Sequence, residues 1–278
     1  MHIQAESEWD DPGVVAAWRR WRSRFADQTR GFTEALLQAA GVVPGMHVLD
    51  LASGAGDPAL ALAKAVGPRG CVTATDISDA MLAIVSDVAH QEKIDNIGCR
   101  RADAAALTFP DESFDLVTCR LGIMHVPNVT EALRESRRVL RPGARAVFLV
   151  WGGSPAEQGA FLHHRILARH VEMPVLLPNA PGPLRFAAYG SLSAALRGAG
   201  FRQVEETTHR CVLSCAGPAS ELWQSIREMA APLRHLLAGV SPDVRERIHE
   251  EVETALQSYS HGERIELPAT VHIATGLR

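Results

Sequence analysis

The chain has 278 residues, 46% of them hydrophobic and 22% charged, with a formal net charge of -4 at pH 7. A chain of this length forms one large domain or two small ones, with enough apolar side chains for a sizeable core. The slight acidic balance excludes a general attraction to nucleic acid or to an anionic membrane and leaves only local patches. Met1-His2-Ile3-Gln4-Ala5-Glu6 lacks the basic start and apolar run of a signal peptide, and no apolar stretch reaches transmembrane length. A cytoplasmic protein with a small-molecule partner, and with neither nucleic acid nor membrane, is expected. Cysteines 71, 99, 119, 211 and 215 show no Cys-x-x-Cys spacing. Cys71, Cys99 and Cys119 each fall in an apolar run and read as small core residues.

Residues 10 to 40 read as two helices, with Val14, Trp18, Trp21 and Phe25 at helical spacing before Phe32, Leu36 and Leu37. Arg19, Arg20, Arg22 and Arg24 lie largely between the aromatics, as a solvated basic face would. His47 to Leu51 then has the length and composition of a buried strand. It passes through Ala52-Ser53-Gly54-Ala55-Gly56-Asp57-Pro58 into the helix formers Ala59-Leu60-Ala61-Leu62-Ala63. Asp57 suits an N-cap and Pro58 the first helical position. Gly54 and Gly56 allow backbone angles closed to other residues and let a ligand lie against the main chain.

Cys71 to Thr75 is a second buried strand ending at Asp76, and Ser78 caps a helix carrying Met81, Leu82 and Val85. Ile97 to Ala102 is a third strand followed by Asp103-Ala104, and Phe114 to Leu121 is a fourth, with Asp115 a structural acid at its start. Asn128-x-x-Glu131 resembles a capping box, and the following helix ends in Arg137, Arg138 and Arg141 before Pro142-Gly143. Ala144 to Val150 is the fifth strand, ending at Trp151. Phe161 to Val171 and Ser191 to Ala199 read as helices around a proline- and glycine-rich stretch at Met173 to Pro183. Phe201 to Val212 is the sixth strand. Two helices follow, one broken near Pro232 and one opening at Ser241-Pro242. A last strand is expected to start beyond Pro268, over 269 to 276, because proline cannot donate to a central ladder.

Two ligand classes fit the turn after the first strand. Gly54-x-Gly56-x-x-Ala59 with Asp76 about twenty residues on satisfies a dinucleotide pattern. Asp50, placed ahead of the glycines, instead suits the ammonium of an amino-acid ligand, directly or through water. Val48 to Gly56 resembles the first motif of class I S-adenosylmethionine-dependent methyltransferases of the ubiquinone/menaquinone and small-molecule type. Thr75-Asp76-Ile77-Ser78, Arg101-Ala102-Asp103-Ala104, Phe114-Asp115-Leu116-Val117 and Arg138-Val139-Leu140-Arg141-Pro142-Gly143 extend the likeness in order over roughly residues 10 to 151. Ala52 stands where that family has its first glycine.

The resemblance implies an α/β, doubly wound Rossmann-like sheet of seven strands in the order 3-2-1-4-5-7-6, the last strand antiparallel. It implies S-adenosyl-L-methionine as cofactor, released as S-adenosyl-L-homocysteine. Asp50, Ala52, Ser53, Gly54 and Gly56 are expected at the amino-acid end of that cofactor, Asp76 at the ribose hydroxyls, Ile77 and Met81 beside the adenine, and Asp103 and Ala104 at its polar edge. Arg120 is expected to contact the cofactor carboxylate or to pair with a core acid. His125 matches the second histidine of the family's His-His-x-Pro-Asp pattern, with Met124 for the first histidine and Asn128 for the acid. Its reference pKa of about 6.5 suits a general base, which favours O-methylation of a small hydroxylated, aromatic or quinol-like acceptor over N- or C-methylation.

The expected organisation is an N-terminal helical flap at 1–40, with Trp18 or Trp21 closing the site, and a cofactor-binding core at 41–152. A helix-loop segment with the sixth strand at 153–214, an inserted helical lid at 215–262 and a final strand at 263–278 complete it. Trp18, Trp151, His163, His164 and Tyr189 are the candidate acceptor-pocket residues. Adjacent histidines on one helix point about 100° apart and are poorly placed to share a metal, so none is expected. Kept beside this reading are an NAD(P)-dependent oxidoreductase, a protein that binds S-adenosylmethionine without methylating, and an arsenic methyltransferase that would use cysteines. The acceptor and the oligomeric state are not legible.

Overall fold

The structure is a computed structural model and describes residues 9–154, 158–173 and 179–278. The chain divides into two compact units. One comprises Phe32–Gly153, Pro178–His209 and Val271–Arg278; the other comprises Met1–Gly31, Ser154–Leu177 and Arg210–Thr270.

In the first unit, α2 (Arg30–Ala40, from Phe32 onward) leads into β1 (His47–Leu51), α3 (Ala59–Val66), β2 (Cys71–Asp76), α4 (Asp79–Gln91), β3 (Ile97–Arg101) and β4 (Phe114–Arg120). A 3₁₀ turn at Ile123–His125, α5 (Val129–Val139), β5 (Leu140–Trp151) and α7 (Ser191–Gly198) follow. The strands β6 (Arg202–Ala216) and β8 (Arg264–Leu277) each cross from one unit's residues to the other's. The sheet order is β3-β2-β1-β4-β5-β8-β6, with the two-residue β7 (Ser260–His261) paired to β8. Setting β7 aside, this is the seven-strand order the sequence implies. The pairs β1–β2, β1–β4, β2–β3 and β4–β5 are parallel, and β5–β8 is antiparallel.

The register puts the carboxyl ends of β1 and β4 side by side, with Asp50 opposite Thr118. In a doubly wound sheet this is the ligand-binding edge, at the switch point of strand order. The core beneath is built from Leu49, Leu51, Val117, Phe148, Leu133, Leu196 and Phe201, all buried. Ser78 and Asn128 cap α4 and α5 as the sequence predicts, accepting from Met81 and Glu131 N–H groups. Asp115 accepts the His47 N–H at 2.8 Å and pairs with Arg141, tying the starts of β1, β4 and β5 together.

Several expectations need correction. Pro142-Gly143 does not separate α5 from the fifth strand, because α5 ends at Val139 and β5 starts at Leu140, with a register shift between Phe114 and Leu116 absorbing the irregularity. Cys71 and Cys99 are exposed, since one opens β2 and the other lies on the edge strand β3; Cys119 is buried as expected. Pro268 lies inside β8. Pairing to β5 begins only at Val271, so the missing N–H interrupts no rung of that ladder.

In the second unit, α1 (Pro12–Gln28) packs on α8 (Ala219–Met229), and α10 (Pro242–Gln257) packs on α6 (Leu162–Leu167) and on α8. The short α9 (Ala231–Ala238) lies against α8, with Pro232 in its first turn. Trp21 donates to Glu228 at 2.6 Å and Arg24 to Glu221 at 2.5 Å, so α1 is not a helix with a wholly solvated basic face. Gln158, fully buried, accepts from Thr270 N–H at 3.0 Å and donates to Thr270 C=O at 3.1 Å. Its amide thereby imitates one rung of a neighbouring strand. Residues 1–8 of the expected flap, and 174–178 of the Met173 to Pro183 stretch, lie outside the described residues.

Candidate active site

The turn after β1 is held from beneath by Asp50. Its carboxylate is fully enclosed and accepts from Thr118 Oγ1 at 2.6 Å and from Ser53 Oγ at 2.7 Å. Burial pushes its pKa up to about 7, against those two hydrogen bonds and the Arg120 charge. Thr75 Oγ1 donates to the Asp50 carbonyl, and Ser53 N–H to the Thr75 carbonyl, so β1 and β2 diverge from a fixed point. Asp50 thus grips the turn itself and presents no surface of its own.

Ala52, Gly54 and Gly56 all take positive φ, at 50°, 50° and 104°. Ala52 follows the left-handed path despite its methyl group. Gly54 is open above: no atom lies within 4 Å of where a Cβ would stand. Its N–H donates to Asp76 Oδ2 at 2.8 Å, while Asp76 Oδ1 accepts the Ser78 N–H at 3.0 Å. The acid at the end of β2 therefore clamps the glycine turn to the start of α4. Ile77 beside it is half-buried, whereas Met81 is enclosed in the core. Asp103 is exposed and accepts the Ala105 N–H, and Ala104 is buried.

Asp57 does not cap α3. The N-cap position belongs to Pro58, and the Asp57 carboxylate instead pairs with Arg120 at 3.0 Å and accepts from Thr33 Oγ1 at 2.7 Å. Arg120, buried at the end of β4, thus pairs with a core acid, one of the two roles the sequence allowed. Gly122 follows, tight against Ala52. His125 ends the 3₁₀ turn, half-buried in surface area but surrounded by enough protein that burial lowers its pKa to about 4. At neutral pH it is an uncharged imidazole.

The segment from 179 to 190 straps this turn. Gly182 N–H donates to the Met124 carbonyl at 2.9 Å, and Arg185 donates to the Val126 carbonyl at 2.5 Å. His272 is buried and holds the strap to the sheet: its Nε2 donates to the Ala187 carbonyl at 3.1 Å, which leaves Nδ1 to accept from Thr208 Oγ1 at 3.0 Å. Gly152 lies flat on the His272 ring, where a Cβ would come within 2.6 Å of Nε2. Sequence reading missed Thr118, Gly122, Arg185 and His272. The available signal is a lone polar residue within an apolar strand run, as at Thr118 and His272.

Of the acceptor-pocket candidates, Trp151 and Tyr189 belong to this unit. Trp151 meets Phe32 edge-on at 5.3 Å. Tyr189 is 65% exposed, and its hydroxyl donates to the Glu206 carbonyl. Trp18, His163 and His164 belong to the other unit. There Trp18 meets Phe25 edge-on, and the rings of His163 and His164 lie 4.5 Å apart. Burial drives the His163 pKa down to about 3, and that of His164 in the same direction. Among the described residues no group of three or more His, Cys, Asp or Glu could hold a metal, and no helix is long and apolar enough to cross a membrane.

Residues 25–158 match the ubiE/COQ5 methyltransferase family. The chain is 46% identical over 107 residues to a 2-phytyl-1,4-naphtoquinone methyltransferase of Synechococcus elongatus, covering 38% of this chain and 46% of the relative. It is 40% identical over 114 residues to the ubiquinone/menaquinone biosynthesis C-methyltransferase UbiE of Shewanella sediminis, covering 41% of this chain and 45% of the relative. The chain thus spans less than half the length of these curated relatives. Among solved structures, the YcgJ protein of Bacillus subtilis superimposes with a TM-score of 0.58 at 20% identity, over 90% of this chain and 98% of that one. The shared fold is the Rossmann-like methyltransferase fold that the sequence motifs imply.

Proposed function

We propose that the chain is an S-adenosylmethionine-dependent methyltransferase acting on a small hydroxylated, aromatic or quinol-like acceptor. The observation that carries this reading is the glycine turn itself: Gly54 is clamped by the Asp76 carboxylate and faces open space on the side where a Cβ would stand. A sulfonium nucleoside fits it. The Gly54 and Ala52 backbone would hold its amino-acid end, the Asp76 carboxylate would accept from its ribose hydroxyls, and Ile77 and Asp103 would flank its adenine. When bound, that cofactor supplies an electrophilic methyl group on sulfur.

The remaining work is done by this chain. Alignment of donor and acceptor can supply roughly 7–11 kcal/mol of barrier reduction, and the latched turn at 122–128 gives the acceptor a rigid wall. His125, neutral at physiological pH, accepts the hydroxyl proton as the oxygen takes the methyl group, and that proton then returns to solvent. In O-methylation the deprotonated oxygen is itself the nucleophile. C-methylation is the second reading, and the name of the Shewanella sediminis relative favours it; the same base then removes a phenolic proton, the ring carbon takes the methyl group from sulfur, and that carbon's own proton is lost to solvent to restore the ring.

A metabolite-pool screen with isotopically labelled methyl donor tests both. Label recovered on a small hydroxylated product supports methyl transfer, and the carbon shift of the labelled methyl separates an ether from a ring methyl. Tight donor binding with no labelled product from any pool would overturn the enzymatic reading. Replacement of His125 by alanine should lower turnover by roughly 10²–10⁴ with donor affinity unchanged.

A further inference from the structure

A cavity of about 760 Å³ in the unit containing α1 is walled by Arg20, Arg24 and Arg30 together with Arg264 from β8. One carboxylate, Asp27, shares the wall, and Arg30 neutralises it at 2.6 Å. Arg20 lies over the Trp21 ring at 4.5 Å, with Glu228 3.9 Å away. Arg264 is anchored through Ser214, donating to its Oγ at 2.6 Å and to its carbonyl at 2.9 Å. Four arginines thus line one cavity in a chain whose net charge is negative.

Arg24 is the centre of the cluster. One terminal nitrogen donates to Glu221 at 2.5 Å, but Nε and the other terminal nitrogen are buried and have no hydrogen-bond partner among the described residues. Their polar neighbour on β6 is the Cys215 thiol, a weak acceptor that burial keeps protonated while Arg24 pulls against it. A buried charged donor left this way is costly, and such a group calls for an acceptor. The Nε and terminal N–H edge of a guanidinium is a planar fork matched to two oxygens of one phosphate. The cavity exceeds the size of a bare phosphate and has the volume of a small-molecule site.

We propose that this arginine-walled cavity binds a phosphate group, carried by a small metabolite or by a lipid headgroup, with Arg24 as its bidentate anchor and Arg20 and Arg264 supplying charge. Phosphate is favoured over carboxylate because several guanidinium groups surround one space and a phosphate offers oxygens in three dimensions. None of its residues belongs to the glycine turn, and the proposal does not depend on methyl transfer.

The test is calorimetric titration of the full chain with inorganic phosphate at constant ionic strength, alongside co-sedimentation with phosphatidylcholine vesicles with and without phosphatidylglycerol. Two variants are compared: Arg24→Gln, and Arg264→Gln, an exposed side chain that donates to Ser214 and, among the described residues, to neither α1 nor α8. Saturable phosphate binding weakened at least tenfold in Arg24→Gln and measurably in Arg264→Gln supports the site and a free phosphate ligand. Vesicle binding that needs phosphatidylglycerol and falls in both variants supports the headgroup. No saturable binding to either probe, or binding equal in wild type and Arg264→Gln, would overturn the proposal.

Discussion

Gly122 faces Ala52 so closely that a Cβ on Gly122 would lie 2.5 Å from the Ala52 Cβ and 3.0 Å from Cys119 Sγ. The β4 exit and the glycine turn are therefore fitted to each other at their narrowest point. Gly122→Ala should destabilise the protein by about 1–3 kcal/mol and weaken donor binding, because the backbone of one loop must move. Ala52→Gly removes both the facing methyl and the cost of a left-handed alanine, so the double variant should recover about 1 kcal/mol of that loss. A denaturant double-mutant cycle showing strict additivity would mean that the two loops do not press on each other.

The buried Arg120 side chain is 3% exposed and pairs with Asp57. Truncating one partner of such a pair costs about 3–5 kcal/mol, because the other charge stays enclosed. Asp57→Ala should fall in this range, and Asp57→Asn, which keeps the Thr33 contact, nearer its lower end. Chemical denaturation of the two variants measures the difference.

Asp50 gives an inverted pH dependence. Its folded pKa of about 7 lies above the ordinary 3.8, so the folded state holds a proton that the unfolded chain has already lost. Its contribution to stability is complete below pH 3.8 and declines by about 4 kcal/mol as the pH rises toward 7. Asp50→Asn abolishes this titration, so its stability relative to wild type should climb between pH 4 and 7. A relative stability that stays level across that range would contradict the assignment.

His125 and His163 act in the opposite direction. Their folded pKa values of about 4 and about 3 lie below the ordinary 6.5, so the unfolded chain takes up protons first on acidification. Stability from both is present above pH 6.5 and drains away as the pH falls toward 4 and 3. His163→Gln should flatten the acid side of the melting-temperature profile. With His125 as base, kcat/KM should hold down to about pH 4 on its acid limb, rather than breaking near 6.5.

Much of the sheet was legible because each parallel strand is short, apolar and closed by a polar residue. His47–Leu51 matches its predicted bounds, and Cys71–Asp76 and Phe114–Arg120 differ from theirs by one residue. The later strands were read too short. Arg202–Ala216 continues its alternation through the buried Leu213 and Cys215, and Arg264–Leu277 begins with the buried Ile265 and Leu267, ahead of the Pro268 that reads locally as a stop. Site residues that follow a strand end, such as Asp76, could be read from spacing alone. Partnerships across long sequence separation, Asp57 with Arg120 or His272 with Ala187, leave no periodic trace. Asp57 reads locally as a cap, and only the fold reveals the arginine that claims it.

The contact between α1 and α8 spans a long interval of chain, since Trp21 and its partner Glu228 are 207 positions apart. During synthesis, α1 must wait until α8 has been made before it can bury Trp21 against that helix. Until then its aromatic face is open to chaperones and to neighbouring nascent chains. Fragments ending before residue 219 should aggregate more readily than those that begin after residue 31, whatever the integrity of the central sheet.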